Sequence, residues 1–170
     1  MTQYYMACVN VEGRRVVVVG DGGMAAEKVE GLETCGALVD RVAAAKYRRR
    51  VLKGALLVIA ATQDRKLNER IFRDAERRGM LCNVADVPDL CNFILPAVHR
   101  EGPIAVAVST GGASPALAKR LRAMIAAIVR PEHAELAEEL RAMRPDVKAR
   151  FQSYEERRDY FEEIVRERMS

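Results

Sequence analysis

Tryptophan is absent, histidine occurs only twice, and no apolar run approaches the roughly 18 residues that a membrane-crossing helix requires. The start, MTQYYMACVNVEGRR, places aromatic and polar side chains where a secretory signal would carry a basic end and then an apolar stretch. A cytoplasmic location with no membrane partner is therefore expected. The four cysteines, Cys8, Cys35, Cys82 and Cys91, include no CxxC pair and have no histidine at metal-ligand spacing. In a chain large enough to fold without staples they read as reduced thiols packed as small hydrophobes, and no residue is assigned to a metal. His99 and His133 have no evident nucleophile partner, which excludes Ser-His-Asp logic and leaves them as surface or packing residues. Aromatics are few, five Tyr and four Phe, so base-stacking platforms are not expected and nucleic acid is not a predicted partner.

What is present is core-forming residue: 49% of the 170 positions are hydrophobic, enough for one domain, or one domain with a modest appendage, and too much for a disordered chain. The net charge of +4 is unevenly spread. Residues 130–170 hold 9 of the 28 basic groups and 11 of the 24 acidic ones, so the tail is net negative and the front part carries the positive excess. Such an excess suits an anionic partner.

Val16-Val17-Val18-Val19 is a β-branched run with no polar break, the pattern of a strand covered on both faces. Gly20-Asp21-Gly22-Gly23-Met24-Ala25 follows, and Ala26, Val29 and Leu32 begin a helical register that ends at Cys35-Gly36. Ala37–Val42 is a short second strand candidate, Ala55–Ala61 a fully apolar one. Leu67, Ile71, Ala75 and Arg78 space out a helix that stops at Gly79, and Leu81–Val84 is the next strand. Buried strands alternating with helices predict an open α/β sheet of parallel strands in the Rossmann manner, with ligands outside the carboxyl ends of the strands. From Gly36 to Ala55 there are too few residues for a second strand, a full crossover helix and a third strand, so one element must be cut down or absent.

After Pro96 the pattern changes. Ile104–Val108 reads as a strand, Ser109 to Pro115 as a glycine-rich turn, and Ala116–Val129 as a helix capped at Ser114. Two charged amphipathic helices, about Glu132–Met143 and Asp146–Arg168, are predicted beyond Pro131, with Pro145 as the break. The tail's apolar positions, Leu136, Leu140, Phe151, Tyr154, Tyr160, Phe161, Ile164 and Val165 among them, imply packing on the rest of the chain or on a second subunit. The expected domains are 1–95, 96–129 and 130–170.

Gly20 to Ala25 fits G-x-G-x-x-A between an apolar strand and a helix, the context in which that pattern points to a dinucleotide. The first glycine permits the tight turn, the second lets backbone approach a pyrophosphate, and the small Ala25 lets helix and strand pack closely. The companion signal is an acid at the end of the second strand that binds both ribose hydroxyls and repels a 2′-phosphate. Asp40 is the one candidate, and it would favour NAD over NADP. Asp86, just past the strand Cys82-Asn83-Val84, is placed to accept a proton as a hydride leaves a substrate, or else is a turn-forming Asp before Val87-Pro88. Ser109-Thr110-Gly111-Gly112 offers backbone N–H groups for carboxylates.

Four strings, VVVVGDGGMAAEKVEGL (16–32), LLVIAATQDRKLNERI (56–71), LCNVADVPDLCNFILPAV (81–98) and VAVSTGGASPALAKRLR (106–122), resemble in order the precorrin-2 dehydrogenase family, the N-terminal module of sirohaem synthase. The resemblance implies NAD-dependent oxidation of precorrin-2 to sirohydrochlorin in sirohaem or related tetrapyrrole biosynthesis. Some members also insert ferrous iron, acting as a sirohydrochlorin ferrochelatase. It further implies a Rossmann-type sheet, a small α/β dimerisation region with strand exchange in a homodimer, and a helical C-terminal part, with a partner chelatase as a further possibility. The carboxylate-rich substrate would account for the basic front part, since Arg100, Lys119, Arg120 and Arg122 flank the second glycine turn.

Carried over by position, Asp86 is the family's proposed general base. Gly20, Asp21, Gly22, Gly23, Met24 and Ala25 match the cofactor loop, and Ala61 and Thr62 the strand end beside the nicotinamide half. Asn83, Ser109, Thr110, Gly111, Gly112 and Ser114 fall on the substrate side, Thr110 standing where some members have a Ser that is phosphorylated. Family members carry a longer stretch between the second strand and LVIAAT. Its absence leaves the adenine and ribose end of the NAD site open, and with it the alternative of a tetrapyrrole-binding dimer without redox activity.

Overall fold

The computed structural model describes residues 4–169. Its contacts divide between Leu95 and Pro96 into two compact units. In the first, β1 (Arg15–Val19), β2 (Leu38–Val42), β3 (Leu57–Ala60) and β4 (Leu81–Val84) form one parallel sheet in the order β2-β1-β3-β4. The strands are continuous apolar runs because both faces are covered. Val17 and Val19 pack with Ile71 and Ala75 of α2 (Arg65–Glu76), whereas Val16 and Val18 pack on the opposite side with Ala25 of α1 (Gly23–Glu33). All four valines are fully buried, each contributing about 1.5–3 kcal/mol of apolar burial.

The shortened segment is resolved in favour of the strands. β2 and β3 are both present, and the chain crosses from one to the other past β1 through two 3₁₀ turns, Ala44–Lys46 and Arg49–Leu52, with no crossover helix. Tyr47 and Leu52 fill the space that a helix would otherwise cover, at 1% and 0% exposure. The Tyr47 hydroxyl donates to Asp74 of α2 at 3.1 Å.

The second unit opens with an antiparallel hairpin, β5 (Ala97–Glu101) and β6 (Ile104–Val108), turned by Gly102-Pro103. Gly102 has φ +53°, and a Cβ there would meet the Ala134 Cβ at 2.9 Å, so the turn requires glycine. β5 is absent from the sequence reading because AVHRE mixes apolar and charged residues without a buried run. Helix α3 (Pro115–Ala126) follows, with Ser114 Oγ accepting from the Leu117 N–H at 3.2 Å as the N-cap.

Pro145 does not break the tail as expected. α4 runs unbroken from Pro131 to Arg150 with Pro145 inside it. Proline removes one intrahelical hydrogen bond and crowds one carbonyl, but Ala134, Leu136 and Val147 are buried on either side of it and hold both halves in one helix. The break comes instead at Phe151-Gln152-Ser153, where Ser153 and Glu156 form a capping box that starts α5 (Tyr154–Arg168). Among the described residues no helix is long and apolar enough to cross a membrane.

Candidate functional site

The carboxyl edge of the parallel sheet gathers three of the expected segments. Ladder bonds continue one residue past the strands: Gly20 N–H to Val42 O at 2.9 Å, Ala61 N–H to Val19 O at 2.8 Å, and Ala85 N–H to Ala60 O at 2.9 Å. Gly20, Ala61 and Ala85 therefore stand side by side, and the loops that follow them open on the same edge. The glycine loop and Asp86 lie two strand spacings apart, roughly 10 Å.

Each glycine of the loop has a distinct reason. Gly20 has φ +152°, and a Cβ on it would run into the Ala61 carbonyl, 2.9 Å from its carbon, and sit 3.1 Å from the Ala25 Cβ. The fold itself demands glycine there, and also the small Ala25, which is fully buried. Gly22 and Gly23 differ: neither has a positive φ, and a Cβ on either would meet nothing within 4 Å. Among the described residues nothing requires those two glycines. The open space over them leaves their backbone accessible from outside. Gly22 is the N-cap of α1 and supplies no side-chain hydrogen bond, so the first-turn N–H groups, beginning with Gly23 and Met24, face that space at the positive end of the helix. These residues fit the pyrophosphate of a dinucleotide. Asp21 faces sideways, its Oδ2 accepting from the Ala44 N–H at 2.9 Å and tying the loop to the turn after β2. Met24 is 44% exposed above it.

Asp40 is not where the sequence reading put it. It is the third residue of β2, opposite Val17 rather than at the strand's end. Its Oδ2 accepts from Arg15 Nε at 2.8 Å and Nη2 at 2.5 Å, at the amino-terminal end of β1. That ion pair turns the carboxylate away from the edge where ribose would lie. The side chain that does reach the glycine loop is the next one, Arg41. Its Nε donates to Gly20 O at 3.3 Å and its Nη2 to Asp21 O at 2.8 Å and Gly22 O at 3.3 Å. Sequence reasoning passed over Arg41, although pleat alternation already sends residues 40 and 41 to opposite faces of β2.

Past β3, Ala61 is buried and Thr62 is locked to α2. Thr62 Oγ1 donates to Asn68 Oδ1 at 2.7 Å, and the Asn68 amide returns a bond to Thr62 O at 2.9 Å. Asn68, 3% exposed, is a positioning residue that the sequence reading missed. A buried Asn one turn into a helix whose N-cap is Asp64 was its only signal.

Asp86 is exposed and has φ +61°, alone among described non-glycine residues in that region. Asp tolerates the left-handed conformation better than most residues. The following Val87 N–H returns to Val84 O at 3.2 Å to close the turn. The loop is then sewn from beneath. Cys91 Sγ lies 3.2 Å from the Val84 N–H and 3.3 Å from Val87 O, and Asn92 Oδ1 accepts from Cys82 N–H at 2.7 Å. Cys91 is thus more than a packed hydrophobe. Asn83, expected on the substrate side, donates its amide to Phe93 O at 3.1 Å, so its buried side chain orders this same loop. Burial pushes the Cys82 thiol up to about 12, with Cys91 and Glu76 adding to the rise, and it also raises Cys91.

In the second unit, the Ser109–Ser114 turn is closed largely on itself. The Gly111 N–H donates to Ser109 Oγ at 3.1 Å, the Ser114 N–H to Thr110 Oγ1 at 3.0 Å, and Thr110 Oγ1 to Ser114 O at 3.1 Å. Those two N–H groups are engaged within the turn, which narrows the anion nest expected there to the region of Gly112, exposed at φ +88°. His99 sits on β5 opposite Val106 with its Nε2 buried and without a hydrogen-bond partner among the described residues. Among the described residues no group of three or more His, Cys, Asp or Glu side chains is placed to hold a metal ion.

Comparison with known proteins places these features. A family described as "Putative NAD(P)-binding" matches residues 7–97, and one described as "Sirohaem biosynthesis protein central" matches residues 101–128. Sirohaem synthases of Nitrosococcus oceani and Stutzerimonas stutzeri are 35% and 37% identical over 96% and 91% of this chain, which spans only 39% and 37% of their lengths. A solved precorrin-2 dehydrogenase, SirC, superposes with a TM-score of 0.76 at 24% identity, over 98% of this chain and 93% of its own, which shows a shared fold.

Proposed function

The chain belongs to the NAD(P)-binding family that matches more than half of it, and from that premise we propose that it catalyses the NAD-dependent dehydrogenation of precorrin-2 to sirohydrochlorin. The observation that carries the reading is the open glycine loop and the exposed, turn-held Asp86 on one edge of one sheet. The similarity to sirohaem synthases and to the precorrin-2 dehydrogenase fold supports the choice of substrate. When bound, NAD+ supplies the hydride acceptor; the oxidation removes one hydride and one proton from the macrocycle. The first-turn N–H groups of α1 hold the pyrophosphate, and Arg41 fixes the loop that presents them. Asp86 takes the proton: its carboxylate is solvent-facing, in the turn that follows β4 on the edge shared with the glycine loop.

The test is an anaerobic assay of precorrin-2 with NAD+, run with the wild-type chain and with Asp86→Ala. NADH formation by the wild type and a loss of about 10²–10⁴-fold in the variant are expected for removal of a general base. Undiminished turnover by Asp86→Ala would remove the role assigned to that carboxylate. Saturable NAD+ binding by calorimetry would dispose of a non-redox tetrapyrrole carrier.

The active species is a homodimer in this reading. Leu117, Leu121, Met124 and Ile128 recur at helical spacing along and just beyond α3, exposed at 50%, 37%, 54% and 68%. A stripe of that kind calls for a partner surface.

A further inference from the structure

Arg41 carries an inference about cofactor choice. The expected guard against a 2′-phosphate is an acid at the end of β2, and the one candidate, Asp40, is engaged with Arg15 at the far end of the strands. In its place at the glycine loop stands an exposed guanidinium. Its Nε and Nη2 are engaged by the Gly20, Asp21 and Gly22 carbonyls, which hold the plane of the fork against the loop. Its Nη1 makes no hydrogen bond or ion pair among the described residues. The fork is therefore anchored by one arm and open on the other. The carboxylate of the glycine loop itself, Asp21, has an oxygen held by the Ala44 N–H. The short crossover adds three alanines, Ala43 to Ala45, and then five exposed cations, Lys46, Arg48, Arg49, Arg50 and Lys53, of which Arg48 is turned back to Ala45 O and Tyr47 O. In dinucleotide folds an acid here selects the ribose 2′-hydroxyl, and an arginine accommodates a 2′-phosphate.

We propose that the free arm of Arg41 receives the 2′-phosphate of NADP, so that this chain binds NADP at least as tightly as NAD. The proposal rests on the dinucleotide site described above and goes beyond it in naming the residue that sets the preference.

The test measures dissociation constants of NAD+, NADP+ and the fragments 5′-AMP and 2′,5′-ADP by calorimetry, for the wild type, Arg41→Gln and Arg41→Lys. The expected wild-type result is NADP+ bound no more weakly than NAD+, and 2′,5′-ADP bound more tightly than 5′-AMP. Arg41→Gln should weaken NADP+ by about 10–100-fold relative to NAD+, the loss of a charge-assisted phosphate contact, and Arg41→Lys should restore part of it. An equal loss for both dinucleotides would make Arg41 a loop anchor alone and overturn the proposal. Wild-type NADP+ binding about 100-fold weaker than NAD+ would overturn it while leaving the dinucleotide site standing. Binding of neither would remove the site and the proposal together.

Discussion

Replacing Tyr47 by Phe deletes one hydroxyl from the wall that substitutes for the missing crossover helix. Tyr47 is 1% exposed and Asp74, its acceptor, 6%. A buried acceptor left without its donor costs about 1–3 kcal/mol. Two guanidinium groups remain near Asp74, Arg70 at 3.9 Å and Arg77 at 4.0 Å, both reaching in from solvent. They hold the expected loss to the lower half of that range, about 1–2 kcal/mol. Urea titration followed by circular dichroism should show a lower midpoint at unchanged slope. The pH dependence sharpens the test. Burial raises the Tyr47 hydroxyl far above its ordinary value of 10.0, and the neighbouring Asp74 charge and hydrogen bond raise it further. Above that ordinary value the unfolded chain has lost the proton and the folded chain keeps it. The unfolded state then binds fewer protons, so stability falls as pH rises. Tyr47→Phe should remove this part of the alkaline decline. A variant within about 0.3 kcal/mol of the wild type, with the same decline, would refute the view that this hydroxyl bears on the buried carboxylate.

Gly20→Ala should abolish dinucleotide binding and destabilise the first unit by several kcal/mol, because the new Cβ meets the Ala61 backbone; a soluble variant with normal NAD+ affinity in calorimetry would contradict the geometry. Exposed Cys8 should react with iodoacetamide in the native protein, while Cys82, buried and with its thiol held near 12, should react only on unfolding; mass spectrometry of labelled peptides distinguishes them. Because that thiol is raised from 9.0, Cys82 also contributes stability that is present below pH 9 and is lost as pH rises towards 12, which Cys82→Ala should flatten in urea titrations. Leu121→Arg with Met124→Arg should convert a dimer to a monomer in sedimentation; a monomeric wild type would dispose of the α3 interface.

The apolar strands were legible because their composition carries the physics. Leu81–Val84 and Ile104–Val108 have the bounds that their apolar runs indicate, and the parallel sheet follows from alternation with α1 and α2. The Gly20 turn was legible for the same reason, since strand, glycine and helix are written consecutively. Side-chain direction was not. Asp40 and Arg41 are adjacent, and only the register of β2 against β1, with Arg15 waiting at the far end, decides which of them attends the cofactor edge. Asn83 misled in the same way: its place beside Asp86 was plain, its rotation towards Phe93 O was not. Pro145 failed as a breaker because tertiary burial at Leu136 and Val147 outweighs a local penalty of about 3 kcal/mol. The apolar positions read in the tail are buried or half-buried apart from Tyr154, whereas the exposed apolar side chains of α3, whose single buried residue is Ala118, were not singled out in the sequence.

Arg15 joins β1 to Asp40 of β2 and, through Nη1 and Nη2, to the carbonyls of Lys53 at 2.7 Å and Val51 at 2.9 Å. One side chain thus rivets three stretches of backbone at the amino-terminal end of the sheet. Extra residues spliced between Ala43 and Arg50 would bulge outward without shifting the strand alignment, since both flanks of the splice are fastened behind it. The segment is accordingly a natural place to graft a longer arm, with the rivet keeping the carboxyl edge of the sheet in register.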